Sequence, residues 1–488
     1  MNMLRVGGTM IYESDAFLEL CDENGILLWQ DFMFANMDYP ADDDSFAASV
    51  ERETREQLAR LSSHACLTVL CGNSEVAQQA AMWGSPREQW SPPLFHETLA
   101  TLSSSLCPNV PYWPCSTQGG AFPQQSDKGT SSYYGVGAYL RPLDDARRAA
   151  VTFTSECLAF ANVPEDKTLA QMPGGLGVRV HQPEWKSRSP RDFGAGWDFD
   201  DIRDYYFREL TGCNPLEVRY GDHDRYLALS RVVSGELMAR CFAEWRRQES
   251  NCRGALIWFL RDFWPGAGWG IIDSAGRPKA PYYFLRRVLQ PVALFISDEG
   301  GNGLYIDVVN ETTHLIDGRL TIDLYRHGEL LSGQATHELT LKPRSVSTIP
   351  AAELFPGFLD LSYNYRFGPP AHDLVTVTFS DSADSVLSEA FHTPLEIIAG
   401  LANDIGLKAQ AERTGDDSYI VTVSTRAFAQ AVWINSDNCI ADDAYFSLAP
   451  GKTRKLMLKR DPTAGARKLR ARIQAANSRS TTTVEGLQ

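Results

Sequence analysis

The sequence predicts a chain that begins as a parallel α/β fold and ends in antiparallel β-sandwiches. Over residues 1–290, short apolar runs alternate with longer amphipathic ones, which is typical of repeated β-α units. From about residue 291, apolar and polar residues alternate within short segments separated by turns, which favours sandwiches. The length of 488 residues suggests two to four domains. We predict domains over residues 1–290, 291–395 and 396–488.

The first region contains a series of strand candidates. They cover residues 4–10, 25–32, 66–73, 109–116, 133–137, 150–157 and 254–260. Helical patterns over residues 12–24, 42–62, 75–82, 94–106 and 223–250 lie between several of them. This alternation predicts a parallel sheet, either doubly wound or closed as a (β/α)8 barrel. Seven strands are one fewer than a closed barrel needs.

The composition excludes several classes of function. A net charge of −15 and a pI near 5.1 argue against nucleic acid or anionic membranes as partners. The ten cysteines form no CxxC pair and the nine histidines form no HExxH motif, so we expect no metal site and no cofactor. The first residues, MNMLRVGGTM, have no apolar core of a signal peptide, so we expect a cytoplasmic protein.

Two carboxylates follow apolar strands in the first region. Glu75 ends the run LTVLCGNS, and Glu156 follows VTFTS. Two carboxylates that face each other at the carboxyl edge of a parallel sheet can hydrolyse a glycoside: one donates a proton to the leaving oxygen, and the other attacks or activates water. Two structural explanations compete with this interpretation. Glu75 fits the first turn of a helix, and Glu156 fits an ion pair with Arg147 or Arg148.

Aromatic residues at the strand ends favour a carbohydrate cleft over these structural explanations. Sugar sites need flat apolar faces together with hydrogen-bonding edges. Tryptophan or tyrosine occurs at the ends of four different strand candidates, with two more tryptophans just beyond: Trp29, Trp113, Tyr133, Tyr134, Trp258, Trp264 and Trp269.

Longer segments carry a family resemblance. The block LRVGGTMIYESDAFLELCDENGILLWQDFMFANMDYP and the segments CGNSE, YWPCS, FTSECLAFANVPE and WFLRDFWPGAGWG follow one another along the chain. In this order they resemble the catalytic domain of glycoside hydrolase family two, in its β-mannosidase branch. The resemblance implies a (β/α)8 barrel that lacks its first strand, followed by two immunoglobulin-like sandwich domains. It also implies a retaining mechanism.

The resemblance assigns roles to individual residues. Glu75 matches the general acid/base and Glu156 the nucleophile. Trp258 matches the sugar platform, Tyr133 the tyrosine that hydrogen-bonds the nucleophile, and Trp113 a residue of the cleft wall. The full set that we expect to bind substrate is Trp29, Asp31, Asn73, Ser74, Trp113, Tyr133, Tyr134 and Trp258.

The sequence departs from the family pattern at three points. Ser74 replaces the asparagine that contacts the sugar 2-hydroxyl in the family, and the motif RVGGTM lacks a tryptophan. Residue 1 precedes what the resemblance marks as strand two, so we expect a dependence on a missing N-terminal portion. Three functions follow: a retaining exo-β-mannosidase acting on β-linked oligosaccharides, a β-glycosidase for galactosides, glucosides or glucuronides, or an inactive carbohydrate-binding fragment.

Overall fold

The structure, a computed structural model, describes residues 1–394, 404–462 and 469–485. It contains two compact units. The first is Met1–Ala159 with Asn251–Trp258, and the second is Phe160–Ser250 with Phe259–Gln488. The predicted domain boundary between residues 395 and 396 lies outside the described residues, and the boundary at residue 290 stays a prediction.

The first unit is built on parallel strands in two sheets. One sheet contains β1 (Met3–Val6), β2 (Leu27–Asp31), β3 (Leu67–Cys71) and β4 (Tyr112–Trp113) in that order. The other contains β5 (Ser131–Tyr133), β6 (Thr154–Cys157) and β7 (Ala255–Ile257). The helices of this unit are α1 (Asp15–Asn24), α2 (Asp44–Leu61), α3 (Val76–Met82), α4 (Leu99–Leu106) and the short α5 (Asp145–Arg148).

Each of the seven predicted strand regions overlaps one observed parallel strand. No ladder of hydrogen bonds joins the two sheets within the described part of the chain, so a closed barrel is not confirmed. The strand predicted over residues 133–137 is shifted and ends at Tyr133. A turn follows because Gly137 has a φ of 139°, a conformation that residues other than glycine rarely adopt.

Local sequence explains where the helices of this unit begin and end. The Asp43 carboxylate accepts a hydrogen bond from the backbone N–H of Phe46 and caps α2. Gly25, with a φ of 63°, ends α1 in the left-handed conformation. The buried faces of these helices and of β1–β3 share one apolar core, which includes Leu28, Leu58 and Leu70.

The second unit contains the remaining helices and the antiparallel sheets. Its helices are α6 (Asp166–Leu169), α7 (Pro183–Lys186), α8 (Phe199–Thr211), α9 (Pro215–Gly221), α10 (His223–Arg246) and α11 (Ala280–Val288). Helix α8 begins with a capping box in which Asp198 and Asp201 each accept a hydrogen bond from the other's backbone N–H. Of the described helices, none is long and apolar enough to cross a membrane.

Two sandwiches follow α11 along the chain. The first contains β8 (Val292–Asp298), β9 (Leu304–Asn310), β10 (Ile316–Arg326), β11 (Leu330–Leu341), β12 (Ser345–Pro350), β13 (Leu374–Asp381) and β14 (Val386–His392). Its sheets have the orders β11-β10-β13-β14 and β12-β9-β8, and they enclose a core that includes Ile306, Ile322 and Phe379.

The second sandwich is built in the same way. It contains β15 (Lys408–Gly415), β16 (Ser418–Ser424), β17 (Ala429–Ser436), β18 (Cys439–Ala441), β19 (Phe446–Leu448), β20 (Thr453–Arg460), β21 (Arg470–Gln474) and β22 (Thr482–Glu485). Its sheets have the orders β15-β16-β20-β18 and β19-β17-β21-β22. Alternate residues such as Val421 and Val423 face the core, which confirms the period of two seen in the sequence.

The glycine pair after β1 allows a test of this packing. A Cβ added at Gly8 would lie 2.0 Å from the carbonyl oxygen of Phe34, whereas one added at Gly7 would lie 3.8 Å from the Arg5 side chain. Gly8→Ala should therefore lower the free energy of unfolding by about 1–3 kcal/mol, because the backbone segments at Gly8 and Phe34 must move apart to make room for the methyl group. Gly7→Ala, the matched control, should stay within about 0.5 kcal/mol of the parent. Urea unfolding at pH 7 measures both, and equal stability of the two variants would contradict the packing described.

Candidate active site

The carboxyl ends of the parallel strands bring a group of polar side chains together in the first unit. Residues Arg5 on β1, Asp31 on β2 and Glu156 on β6 meet Ser74 and Glu75, which follow β3. Parallel pairing places the ends of β1, β2 and β3 at one edge of their sheet, and side-chain contacts from Arg5 and Ser74 to Glu156 join them to β6 of the other sheet. The Arg5 side chain is only 5% exposed, so this is a buried group of charges.

Arg5 is the centre of the group. Its Nη2 donates to Asp31 Oδ2 at 2.7 Å and its Nη1 donates to Glu156 Oε1 at 2.6 Å. A third hydrogen bond runs from Nη2 to Ser74 Oγ at 3.1 Å. Burial lowers the pKa of Arg5, but the charges of Asp31 and Glu156 outweigh burial and raise that pKa well above its ordinary value. The guanidinium is therefore a permanent cation between two carboxylates.

Asp31 is held by donors on several sides. Besides the Arg5 guanidinium, it accepts hydrogen bonds from Trp29 Nε1 at 2.8 Å and from the backbone N–H of Gly8 at 3.1 Å. Its side chain is completely buried. Asp31 was predicted to bind substrate, and this role stays a prediction; in the structure its contacts hold Arg5 in place.

Glu156 accepts hydrogen bonds on both of its oxygens. Its Oε1 faces Arg5 and also accepts from Ser74 Oγ at 3.2 Å. Its Oε2 accepts from the Tyr134 hydroxyl at 2.9 Å. The ion pair of Glu156 is thus with Arg5; Arg148, one of the partners considered from the sequence, pairs with Asp144 instead. Such a set of donors fixes the orientation of the carboxylate.

Glu75 has a different environment. It is 9% exposed, has a φ of 61°, and precedes α3 as its N-cap residue. Its Oε2 accepts a weak hydrogen bond from Gln79 Nε2 at 3.3 Å, and its Oε1 has no partner with good hydrogen-bond geometry among the described residues. Burial, followed by the negative charge of Glu156, raises the pKa of Glu75 to about 7, against smaller opposing effects of Ser132, Gln79 and Arg5.

The tyrosine beside Glu156 is Tyr134, not Tyr133 as the resemblance implied. Successive residues of a strand point to opposite sides, so a shift of one residue exchanges the two side chains. Tyr133 instead donates to Asp145 at 2.9 Å. Burial, followed by Glu156 and Glu75, raises the pKa of Tyr134 well above its ordinary value, which keeps its hydroxyl protonated as a donor.

The other predicted substrate residues have supporting contacts. Trp29 is 4% exposed and stacks on Phe153 with ring centroids 5.6 Å apart. Asn73 is buried and holds the start of α3, since its Oδ1 accepts from the backbone N–H of Val76 at 3.0 Å. These contacts hold both side chains in place, and their role in binding substrate stays a prediction.

Two predicted tryptophans are partly exposed. Trp113 is half-buried at the end of β4 and donates through Nε1 to Thr130 Oγ1 at 2.7 Å. Trp258 follows β7 and is also half-buried, with its backbone N–H bonded to the carbonyl of Cys157 at 2.9 Å. These two indoles remain the predicted sugar-facing aromatics of the first unit.

Sequence reasoning missed the most connected residue of the site. Arg5 was part of a quoted motif, but no role was given to it. A lone arginine inside an apolar strand was the available signal, because a buried cation needs an anionic partner.

The arrangement places two buried carboxylates in unequal surroundings. Glu156 is tied to a cation and to hydroxyl donors, whereas Glu75 has weak donors and a pKa of about 7. One carboxyl group that is protonated near neutral pH beside one that is ion-paired is the arrangement that acid-assisted displacement at a glycosidic carbon needs.

Comparison with known proteins finds similarity to β-mannosidases. An Ig-fold domain family, Ig_mannosidase, matches residues 403–479. The β-mannosidase B of Aspergillus niger is 30% identical over 320 residues, which cover 61% of this chain and 36% of that protein. The β-mannosidase B of Thermothelomyces thermophilus is 28% identical over 321 residues, which cover 60% of this chain and 36% of that protein. The chain thus spans about a third of the length of these relatives.

Solved structures share the fold. The β-D-mannosidase of Dictyoglomus thermophilum matches with a TM-score of 0.82 at 22% identity, over 100% of this chain and 57% of that chain. An exo-chitosanase of Amycolatopsis orientalis matches with a TM-score of 0.72 at 16% identity, over 99% of this chain and 60% of that chain. These findings confirm the resemblance read from the sequence: the chain is similar to β-mannosidases in sequence and in fold, and it carries a domain of the Ig_mannosidase family.

Proposed function

We propose that the chain carries the catalytic site of a retaining exo-β-glycosidase, with β-mannosides as the favoured substrates. The single observation that carries the proposal is the pair of buried carboxylates in unequal surroundings, with Glu156 ion-paired to Arg5 and Glu75 held by a weak donor only. The likeness to β-mannosidase B of two fungi supports mannose as the sugar.

In the first step, an oxygen of the Glu156 carboxylate forms a bond to the anomeric carbon. The bond from that carbon to the leaving oxygen breaks, and the proton of Glu75 moves to the leaving oxygen. In the second step, water attacks the anomeric carbon and transfers its proton to Glu75, while the bond to Glu156 breaks. The two steps together retain the anomeric configuration.

Arg5 and Tyr134 orient the nucleophile in this scheme. The Arg5 guanidinium at 2.6 Å and the Tyr134 hydroxyl at 2.9 Å fix the Glu156 carboxylate before substrate arrives. A prepositioned carboxylate lowers the entropic cost of attack. As part of the same proposal, the seven parallel strands are seven of the eight strands of a (β/α)8 barrel, a fold that carries its chemistry at the carboxyl ends of its strands.

Ser74 bears on which sugar is preferred. Its hydroxyl accepts from Arg5 Nη2 at 3.1 Å and donates to Glu156 Oε1 at 3.2 Å. A sugar 2-hydroxyl that approaches Ser74 must compete with these two partners. This observation keeps a second candidate open, namely a β-glycosidase for another sugar.

The pH dependence tests the role of Glu75. Because Glu75 must be protonated to donate to the leaving oxygen, kcat/KM should fall as the pH rises above about 7, the pKa of Glu75. The measurement is kcat/KM for 4-nitrophenyl β-mannoside between pH 4 and 9. In Glu75→Gln, hydrolysis of a substrate whose leaving group needs no proton, 2,4-dinitrophenyl β-mannoside, should lose this alkaline decline. An alkaline decline that persists in the variant would assign it to another group.

The two carboxylates should differ in their response to azide. Glu156→Ala should lower kcat by at least about 10³-fold, and added azide should yield the α-mannosyl azide by direct displacement. Glu75→Ala with azide should yield the β-mannosyl azide, since the covalent intermediate still forms on Glu156. Proton NMR of the products distinguishes the two anomers. The same anomer from both variants would contradict the assigned roles.

A panel of aryl glycosides tests the sugar preference. The parent chain should hydrolyse the β-mannoside with a higher kcat/KM than the β-glucoside, β-galactoside or β-glucuronide. Ser74→Asn should raise kcat/KM for the β-mannoside by roughly tenfold, the scale of one added hydrogen bond in the transition state. Thr152→Asn, at a partly buried position in the same unit, is the control. A preference for another sugar in the parent would support the second candidate instead.

A further inference from the structure

A small cavity lies in the second compact unit, on residues that take no part in the Arg5 network. Its volume is about 210 Å³. It is lined where the segment before α7 meets the junction of α9 and α10, by Arg179, Val180, Arg219, Tyr220, Gly221 and His223.

Arg219 is the unusual member of this lining. The residue is 3% exposed, and its Nη2 donates to the Asp204 carboxylate and to the Tyr226 hydroxyl. The guanidinium also lies over the Tyr226 ring, 4.7 Å from its centroid. Its Nε and Nη1 are buried and have no hydrogen-bond partner among the described residues. Buried N–H groups of a cation are costly to leave unpaired, so they point to an acceptor that the chain itself does not provide.

A second cation faces the same cavity. Arg179 is exposed, and its Nη1 lies 2.8 Å from His223 Nδ1. Because arginine only donates, this ring nitrogen accepts and the imidazole is neutral. Burial, followed by Arg179 and with smaller contributions from Arg219 and Arg203, lowers the pKa of His223 to about 4, against the opposing effect of Asp224. Arg179 therefore contributes to keeping the imidazole neutral, after burial.

Two of the nearby acidic residues are engaged by other groups. Asp204 neutralises part of the charge of Arg219, and Asp222 accepts from the backbone N–H of Arg225 as the N-cap of α10. Asp224, in the first turn of α10, opposes the positive charge near His223. Arg179 adds a second cation to the lining of the cavity.

We propose that this cavity binds a tetrahedral oxyanion of the phosphate class, either free phosphate or a phosphomonoester group. Several acceptor oxygens and a charge near −2 match the unpaired Nε and Nη1 of Arg219 together with the Arg179 guanidinium. The proposal is independent of the glycosidase activity, because no residue of the cavity contacts the carboxylate pair.

Isothermal titration of the full chain at pH 7 and constant ionic strength tests the proposal. Inorganic phosphate should bind saturably with one site per chain, and acetate should not. A second titration uses phosphoserine. If phosphoserine also binds, the site accepts phosphomonoesters; if only phosphate binds, the site accepts the free ion. Absence of saturable binding in both arms, or equal binding of acetate, would overturn the proposal.

Arg179→Gln should weaken phosphate binding by at least roughly tenfold, because the phosphate loses the charge-assisted hydrogen bond from the Arg179 guanidinium. The exposed Arg208→Gln in α8 is the matched control for the loss of one positive charge and should bind like the parent. Equal effects of the two substitutions would show a response to overall charge and would overturn the proposal.

A crystal soaked in tungstate, a tetrahedral oxyanion, provides a test without a substitution. An anomalous peak beside Arg219 supports the site, and peaks only elsewhere contradict it.

Discussion

One buried guanidinium holds the candidate active site together. Arg5 lies between Asp31 and Glu156, at 2.7 Å and 2.6 Å, on side chains that are almost inaccessible to solvent. Removing one member of such a buried group leaves an uncompensated charge, at a cost of about 3–5 kcal/mol. Trp29 and the backbone N–H of Gly8 donate to Asp31 for the same reason, since an ionised carboxylate that is buried needs hydrogen-bond donors.

The same network determines why the two glutamates differ. Arg5 and Tyr134 donate hydrogen bonds to Glu156, whereas Glu75 accepts only from weak donors. The charge retained on Glu156 then adds to burial and holds the pKa of Glu75 near 7. A single cation placed next to one carboxylate thus gives the two carboxylates unequal surroundings, and the proposed roles of nucleophile and acid rest on this difference. The left-handed backbone at Glu75, with a φ of 61°, begins α3 immediately after the carboxylate.

The sequence allowed the strands and the carboxylate pair to be predicted, because apolar runs and the polar residues that end them are local signals. Contacts between distant segments were not predictable in the same way. Arg5 meets Asp31 and Glu156 across 26 and 151 residues of chain, and no local pattern encodes that meeting. Tyr133 was predicted to donate to Glu156, but Tyr134 does so. The position at which β5 ends determines which of the two tyrosines points to Glu156. Strand ends are the least certain part of a prediction from sequence. Trp29 was expected to bind substrate, and this stays a prediction; its indole is buried and donates a hydrogen bond to Asp31, a contact between side chains that the sequence did not indicate.

The measurement that tests the central claim most directly is the trapping of the covalent intermediate. The chain is incubated with 2-deoxy-2-fluoro-β-mannosyl fluoride, digested, and analysed by tandem mass spectrometry. The account predicts one fluoromannosyl group per chain, attached to Glu156, and no adduct in Glu156→Ala. An adduct on Glu75, or turnover of mannoside without any adduct on Glu156, would contradict the assignment of the two carboxylates.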